Sequence, residues 1–125
     1  MSVETIAGKF MELVRQNKHF EVMRGMYSPD MVSVEGDGRE FVGKDVVIHK
    51  SEVFQGANNL HSQLVRGPFF CGDPNANAGR FAVYTTLEYS PKSGGERRVQ
   101  EEVGLYTVKG ELITREEFFY DGKFV

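Results

Sequence analysis

The apolar positions near the start of the chain recur with the period of an α-helix. They fall at Ile6, Phe10, Leu13 and Val14, with the spacing i, i+4, i+7 and i+8. This spacing predicts one amphipathic helix. A second, shorter helix is predicted over residues 18–26. Pro29 limits it, because proline disfavours helical backbone in the residue before it.

A short hairpin and a third helix are predicted after the proline. Residues 31–35 alternate in the manner of a strand, Asp37-Gly38 is a frequent two-residue turn, and residues 39–42 would return beside the first strand. Helical spacing begins again at residue 43 and continues to about residue 54. The face that we expect to turn inward carries Val46, His49, Lys50, Val53 and Phe54.

The second half of the chain has the pattern of an antiparallel meander. Strands are expected over residues 60–70, 80–89, 97–108 and 111–120. A loop rich in turn-forming residues at 72–79 separates the first two strands. Because helices and strands are segregated along the chain, we expect an α+β fold, with three helices packed on a curved, mostly antiparallel sheet. A twisted sheet of this kind can leave a cavity beneath its helices.

Size and charge narrow the class of protein. The chain has 125 residues, which fits a single domain over residues 1–125. Its formal net charge of −3 argues against nucleic-acid binding, because phosphate contacts need a basic surface. No apolar run approaches a membrane span and the first residues lack a secretion-signal pattern, so we expect a cytoplasmic protein without membrane contact. Cys71 is alone, which excludes an internal disulfide.

Segments of this chain resemble those of a known superfamily in order and spacing. The segments are YSPDMVSVE at 27–35, FVGKDVV at 41–47, EVGLYTV at 102–108 and ITREEFFY at 113–120. They are similar to the SnoaL-like members of the nuclear transport factor 2-like superfamily. Lys109-Gly110 is a departure, since the family usually has aspartate-glycine before the last strand.

The resemblance implies a cone-shaped α+β barrel, often dimeric through the outer face of its sheet. Its pocket would accept small apolar or polyketide-like molecules. Members of the family include isomerases, cyclases, dehydratases, epoxide hydrolases and plain binding modules, so the fold alone does not choose the reaction.

Glu35 is the first candidate for acid–base chemistry. In this resemblance it falls near the carboxylate base of ketosteroid isomerases, which removes a proton α to a carbonyl. The alternative is a solvated charge at a strand end. An isomerase of that kind also needs a hydrogen-bond donor for the developing oxyanion. The inner face of the first helix offers none, since it carries Phe10, Met11, Leu13 and Val14.

Two pairs of adjacent glutamates, at residues 101–102 and 116–117, lie inside predicted strands. Because side chains alternate along a strand, the two members of each pair point to opposite faces. Glu102 shares its face with Tyr106, whereas its rival Glu101 shares the opposite face with Leu105, and Glu117 is the corresponding rival of Glu116. Glu116 likewise shares its face with Phe118 and Tyr120. A carboxylate on an aromatic face is costly to bury unless it is hydrogen-bonded. A sequence that keeps glutamate there despite this cost favours a role in the pocket for Glu102 and Glu116. Ion pairs with nearby arginines are the alternative, and periodicity alone does not choose the face that lines the cavity.

His61, at the start of the first long strand, is the histidine favoured for acid–base work. The histidines have no metal-ligand spacing and no phosphate-binding motif is present, so we expect neither a metal nor another cofactor. The predicted site lies on one sheet face. Its catalytic candidates are Glu35, His61, Glu102 and Glu116, and its wall is expected from Tyr27, Tyr106, Phe118 and Tyr120.

Three functions are compatible with these features. The first is an enzyme that uses glutamate and histidine to isomerise, cyclise or dehydrate a small apolar carbonyl or hydroxyl compound. The second is a non-catalytic module for a small apolar molecule, and the third is a structural partner domain. We also expect a two-fold homodimer, because three helices cannot cover the outer sheet face. The residues expected on that outer face include Val65, Val83, Leu105 and Phe119.

Overall fold

In the computed structural model, which describes residues 1–120, three helices form close to their predicted positions. They are α1 (Val3–Arg15), α2 (His19–Met26) and α3 (Lys44–Ala57). Ser2 caps α1: its Oγ accepts a hydrogen bond from the Thr5 backbone N–H at 3.1 Å, which satisfies an amide left unpaired at the helix start. Within residues 1–120, no helix is long and apolar enough to cross a membrane.

The described part of the chain contains six strands, all in one sheet. They are β1 (Tyr27–Val34), β2 (Glu40–Val42), β3 (Asn58–Cys71), β4 (Ala78–Pro91), β5 (Arg98–Lys109) and β6 (Leu112–Phe119). Their order is β2-β1-β6-β5-β4-β3, and every neighbouring pair is antiparallel except the parallel pair β1 and β6. The predicted α+β class, with helices packed on a mostly antiparallel sheet, is confirmed.

A bulge in β6 sets which of its side chains face inward. Val108 on β5 pairs with Ile113, whereas the preceding Thr107 pairs with Arg115, so β6 carries one extra residue at that point. Ile113 and Glu116 are three residues apart, yet both are buried. The bulge thus resets the alternation and turns Glu116 towards the helices.

Aromatic rings from α1 and the sheet interlock in the core. The ring centroid of Phe10 lies 5.4 Å from that of Phe81 and 4.5 Å from that of Tyr106. Phe81 and Tyr106 stack on each other at 5.2 Å. All three side chains are buried, so these contacts fix α1 on the inner face of the sheet.

β1 begins at Tyr27, earlier than the predicted start at residue 31. Pro29 therefore lies within the strand, where it is exposed, and the pairing of β1 with β6 shifts register between Tyr27 and Val32. Proline cannot donate a ladder hydrogen bond, which is why it is tolerated at an irregularity of this kind. The early start places Tyr27 in the core, where it is buried.

The inner face of α3 differs in part from the predicted one. Val47 is completely buried, whereas Val46 and Val53 are 46% and 57% exposed. Lys50 and Phe54 do turn inward. Adjacent valines at 46 and 47 fit a helical stripe equally well, and the packing of α3 on β1 selects the second one.

Val65 and Val83 lie on the inner face of the sheet, which corrects their predicted place on the outer face. Both border the cavity described below, and Val83 is buried. Leu105 and Phe119 do lie on the outer face, where Phe119 is 54% exposed. Val83 stands opposite Gly104 on β5, so it cannot share a face with the adjacent Leu105.

Replacing Ile113 by alanine tests this core. The side chain is fully buried on the inner face of β6, which pairs with β1 and β5, and its loss should cost about 2–5 kcal/mol in the free energy of unfolding, measured by urea denaturation. Val99→Ala is the matched control, because Val99 is 68% exposed and its truncation should cost about 0.5 kcal/mol or less. Equal losses at both positions would contradict the described orientation of β6.

Candidate functional site

A cavity of about 530 Å³ lies between the helices and the inner face of the sheet. Residues of α1, α2, α3 and all six strands border it. Much of its wall is aromatic, formed by Phe10, Phe20, Phe41, Phe54, Tyr106 and Phe118. This volume and lining are typical of pockets that take small, mostly apolar molecules.

Lys50 of α3 brings positive charge to this cavity. Its ammonium group donates a hydrogen bond to the carboxylate of Glu35, which follows β1, and another to Ser33 Oγ at 2.7 Å. The same nitrogen lies 4.0 Å from Glu116 Oε2. Both carboxylates are buried, and Lys50 therefore offsets much of their desolvation cost.

Hydroxyl groups complete the surroundings of Glu116. Tyr27 donates from its hydroxyl to Glu116 Oε1, and Ser33 Oγ donates to Oε2 at 2.8 Å. The parallel register of β1 and β6 sets Ser33 directly opposite Glu116. Burial raises the pKa of Glu116, while Lys50 and the two hydroxyl donors oppose that rise.

Tyr120 holds the second oxygen of Glu35. Its hydroxyl donates to Glu35 Oε2 at 2.7 Å, and burial together with this carboxylate raises the pKa of Tyr120. The ring lies against the backbone of Gly36, where an added Cβ would come within 2.8 Å of a ring carbon. Glycine at this position thus allows the tyrosine to reach Glu35.

Glu102 on β5 lacks comparable support. Among the described residues its carboxylate accepts one hydrogen bond, from the side-chain nitrogen of Gln100 at 3.3 Å. Burial raises the pKa of Glu102 to about 7, the charges of Glu35 and Glu116 add to the rise, and Gln100 and Lys50 oppose it. A carboxyl group with such a pKa can both hold and release a proton near neutral pH.

Tyr106 places a hydroxyl group beside these carboxylates. Its ring is buried against Phe10 and Phe81, and burial together with the charges of Glu116 and Glu102 raises its pKa. An added Cβ at Gly104 would lie 2.9 Å from the hydroxyl oxygen, so only glycine leaves room for this orientation. No residue within 1–120 is hydrogen-bonded to that hydroxyl, which leaves it available to a ligand.

The structure brings three of the predicted carboxylates together. Glu35, Glu102 and Glu116 all border the cavity, as do Tyr27, Tyr106 and Phe118 of the predicted wall. Tyr120 reaches the cluster through its hydrogen bond to Glu35. The rival glutamates lie apart from it: Glu101 is exposed, and Glu117 accepts a hydrogen bond from Arg115 at 2.7 Å. The catalytic role of each carboxylate stays a prediction.

His61 lies outside the cavity, which corrects its predicted place beside the glutamates. It is exposed, its Nε2 is 2.7 Å from Ser90 Oγ, and its Nδ1 is 3.5 Å from a guanidinium nitrogen of Arg97. The pairing of β3 with β4 shifts register between Leu60 and Ser62, so His61 sits at an irregularity that breaks the alternation.

Sequence reasoning gave no role to other polar residues that border the cavity. Lys50 was expected on the inner face of α3, but as one charge in an apolar stripe. His19 begins α2, and its Nε2 lies 3.0 Å from Gln63 Oε1 on β3. The signal for Lys50 was its position on a largely apolar face of α3. The contact of His19 with Gln63 joins residues 44 positions apart in the chain, so no local pattern predicts it.

Within residues 1–120, no group of three or more histidine, cysteine, aspartate or glutamate side chains is arranged to hold a metal ion. The three carboxylates of the cavity are instead satisfied by an ammonium group, hydroxyls and an amide.

Comparison with known proteins finds both sequence and structural relatives. The SnoaL-like domain family matches residues 1–120. A candidate SnoaL-like polyketide cyclase from Mesorhizobium loti, whose name also carries the words carbohydrate phosphatase, is 34% identical. Its TM-score is 0.86, and the match covers 96% of this chain and 100% of that one.

More distant structures share the fold at low sequence identity. An NTF2-like protein from Burkholderia thailandensis has a TM-score of 0.78 at 10% identity, covering 97% of this chain and 92% of its own. A candidate polyketide cyclase from Pseudomonas putida has a TM-score of 0.72 at 13% identity, with the same coverage of 97% and 92%. At such identity they show the fold alone. No curated protein matches the chain.

Replacing Glu102 by glutamine should change how stability depends on pH. The pKa of Glu102 is about 7 in the folded protein against 4.5 for an ordinary glutamate, so the wild type loses stability as pH rises through this range. The variant does not titrate there. It should match the wild type at pH 4 and be more stable at pH 8 by up to about 3 kcal/mol, measured by urea unfolding.

Glu101→Gln is the matched control for this experiment. Glu101 is the adjacent residue on the same strand and is exposed on the outer face, so its replacement should leave the pH profile unchanged. The same profile for wild type and Glu102→Gln between pH 5 and pH 8 would show that the carboxyl group is not desolvated.

Proposed function

The chain belongs to the SnoaL-like domain family, and on that basis we propose that residues 1–125 act as a single cone-shaped domain in the cytoplasm that binds a small apolar carbonyl or hydroxyl compound. The proposed reaction is the transfer of a proton on the carbon next to the carbonyl. Isomerisation, aldol-type cyclisation and dehydration of a hydroxy-carbonyl compound all share that step.

The position of Glu102 carries this proposal. Its carboxyl group borders a largely aromatic cavity, and its pKa of about 7 suits a group that must take up and return a proton at neutral pH. Glu35 and Glu116 are already held by hydrogen bonds from Lys50, Tyr120, Tyr27 and Ser33. Glu102 is therefore the carboxylate whose proton is free to exchange with a ligand.

In the proposed step, the Glu102 carboxylate takes a proton from the α-carbon of the ligand. The electron pair of the broken C–H bond forms a carbon–carbon double bond, and the carbonyl π pair moves onto oxygen. Tyr106 borders the same cavity, and its hydroxyl is the group we assign to donate a hydrogen bond to that oxygen. It supplies from β5 the donor that the inner face of α1 lacks.

The Mesorhizobium loti relative supports this type of chemistry by its name. Cyclisation of a polyketide by carbon–carbon bond formation begins with loss of a proton next to a carbonyl, which is the step assigned to Glu102. At 34% identity over 96% of the chain, the two proteins have the same fold.

Hydrogen–deuterium exchange tests the reaction without knowledge of the natural substrate. 2-Tetralone, a small apolar ketone, exchanges its α-protons slowly in D₂O, and the loss of their signals can be followed by proton NMR. The protein should accelerate this exchange, with a rate that rises as pH passes 7 and Glu102 loses its proton. Glu102→Gln should reduce the acceleration at least about a hundredfold.

Glu101→Gln should retain the full rate, because that side chain faces away from the cavity. Exchange at the rate of the uncatalysed reaction, in a protein that nevertheless binds 2-tetralone by calorimetry, would reject the enzyme. That result would favour the alternative of a non-catalytic binding module.

We also propose that the outer face of the sheet packs against a second copy of the chain. Leu64 and Phe119 are each 54% exposed on strands that no helix covers from that side, and Leu105 lies on the same face. Sedimentation at tens of micromolar, a range set by usual dimer affinities, should show a dimer. Phe119→Lys should give a folded monomer, and a wild type that is already monomeric would overturn the dimer.

A further inference from the structure

A second polar site borders the same cavity, away from the carboxylates. His19 of α2 and Gln63 of β3 meet there, with 3.0 Å between His19 Nε2 and Gln63 Oε1. The side-chain nitrogen of Gln63 donates to the backbone carbonyl of Val14 at 2.7 Å. The proposed proton transfer uses none of these groups, so the role of this site is open.

The hydrogen bonds fix the protonation of His19. The carbonyl of Val14 can only accept, so the amide nitrogen of Gln63 must face it and the amide oxygen must face the histidine. His19 therefore donates from Nε2. Burial lowers the pKa of His19 and outweighs the opposing effect of Gln63, which keeps the ring neutral at physiological pH. A neutral ring with hydrogen on Nε2 has an acceptor lone pair on Nδ1, and no residue within 1–120 occupies it.

The register of the sheet gives the separation of the two polar sites. Gln63 on β3 stands opposite Leu87 on β4, which stands opposite Gln100 on β5, and Gln100 donates to Glu102. Two strand spacings separate β3 from β5, which is about 10 Å. Leu87 lies between them and borders the cavity. The cavity thus has Glu102, which can exchange a proton, at one end, the apolar side chain of Leu87 in the middle, and His19, which can accept a hydrogen bond, at the other end.

We propose that the ligand is an elongated, neutral molecule with a hydroxyl group at the end opposite its reacting carbonyl or hydroxyl, and that His19 Nδ1 accepts a hydrogen bond from it. This inference rests on the proposed function and narrows its substrate class. His19 acts as a specificity-determining residue: a ligand without that donor displaces water from the Nδ1 lone pair and does not replace the lost hydrogen bond, which lowers its affinity.

Two naphthalenes and two variants test the role of His19. The probes are 2,6-dihydroxynaphthalene and 2,6-dimethoxynaphthalene, which differ in their ability to donate. The chain has no tryptophan, so the fluorescence of a bound naphthalene can be followed directly. In His19→Gln the side chain can still donate to Gln63 but has no acceptor where Nδ1 stood. In His19→Asn the side-chain oxygen replaces that acceptor.

The diol should bind His19→Gln about tenfold more weakly than the wild type, because one hydrogen bond is lost. The dimethoxy compound should bind His19→Gln at least as tightly as the wild type, and His19→Asn should recover most of the affinity for the diol. In the wild type, the ¹⁵N resonance of His19 Nδ1 should mark an unprotonated nitrogen and shift when the diol binds.

Equal losses for both naphthalenes in His19→Gln would reduce His19 to a wall residue and overturn this inference, while the exchange of 2-tetralone protons would still test the proposed function. An Nδ1 that carries the proton would also overturn it. Failure of both naphthalenes to bind the wild type at about 1 mM would contradict the small-molecule cavity itself, and the inference with it.

Discussion

The contact of the Lys50 ammonium group with Glu35 and Glu116 is the interaction on which the site depends. A carboxylate without water around it costs several kcal/mol, and two such groups side by side also repel each other. One lysine offsets both effects, and the hydroxyls of Ser33, Tyr27 and Tyr120 satisfy the remaining oxygens. Glu102 stands outside this network with only an amide partner, which is why its proton is the one left mobile.

The same lysine also joins the chemistry to the packing of the fold. Its ammonium group lies 5.1 Å from the ring centroid of Phe41 on β2 and 5.4 Å from that of Phe118 on β6. These cation–π contacts hold α3 against two strands that are not neighbours in the sheet. The helix that forms one wall of the cavity is thus positioned by the side chain that sets the charge within it.

The sequence predicted the α+β class, most elements within a few residues and the meeting of Glu35, Glu102 and Glu116, and the family match confirms the resemblance. Strand alternation could place Glu101 and Glu102 on opposite faces because that depends on the backbone alone. It could not relate one strand to the next, since cross-strand register depends on bulges. Val83 was therefore expected on the outer face beside Leu105. In the structure Val83 pairs with Gly104, the residue before Leu105, and so lies on the opposite face.

Local irregularities account for the other differences. The shift in β3 near residue 61 and the extra residue in β6 near Thr114 have no marker in the local pattern of apolar residues. The shift in β3 explains why His61 was wrongly placed beside the glutamates. Lys50 was placed on the correct face of α3. Its contact with Glu35 and Glu116 could not be predicted, because only the folded sheet brings these two carboxylates to it.

The parallel pairing of β1 with β6 has a consequence for how the chain folds during its synthesis. Tyr27 and Glu116 are separated by 89 residues, and Glu35 and Tyr120 by 85. A ribosome releases Tyr27 and Glu35 long before it has added the residues that hold their side chains. Until then Lys50 has only one of its two carboxylates, and β1 has an unpaired edge. Contacts over such distances form slowly, so the nascent chain exposes an apolar inner face that chaperones can recognise until translation passes the last strand.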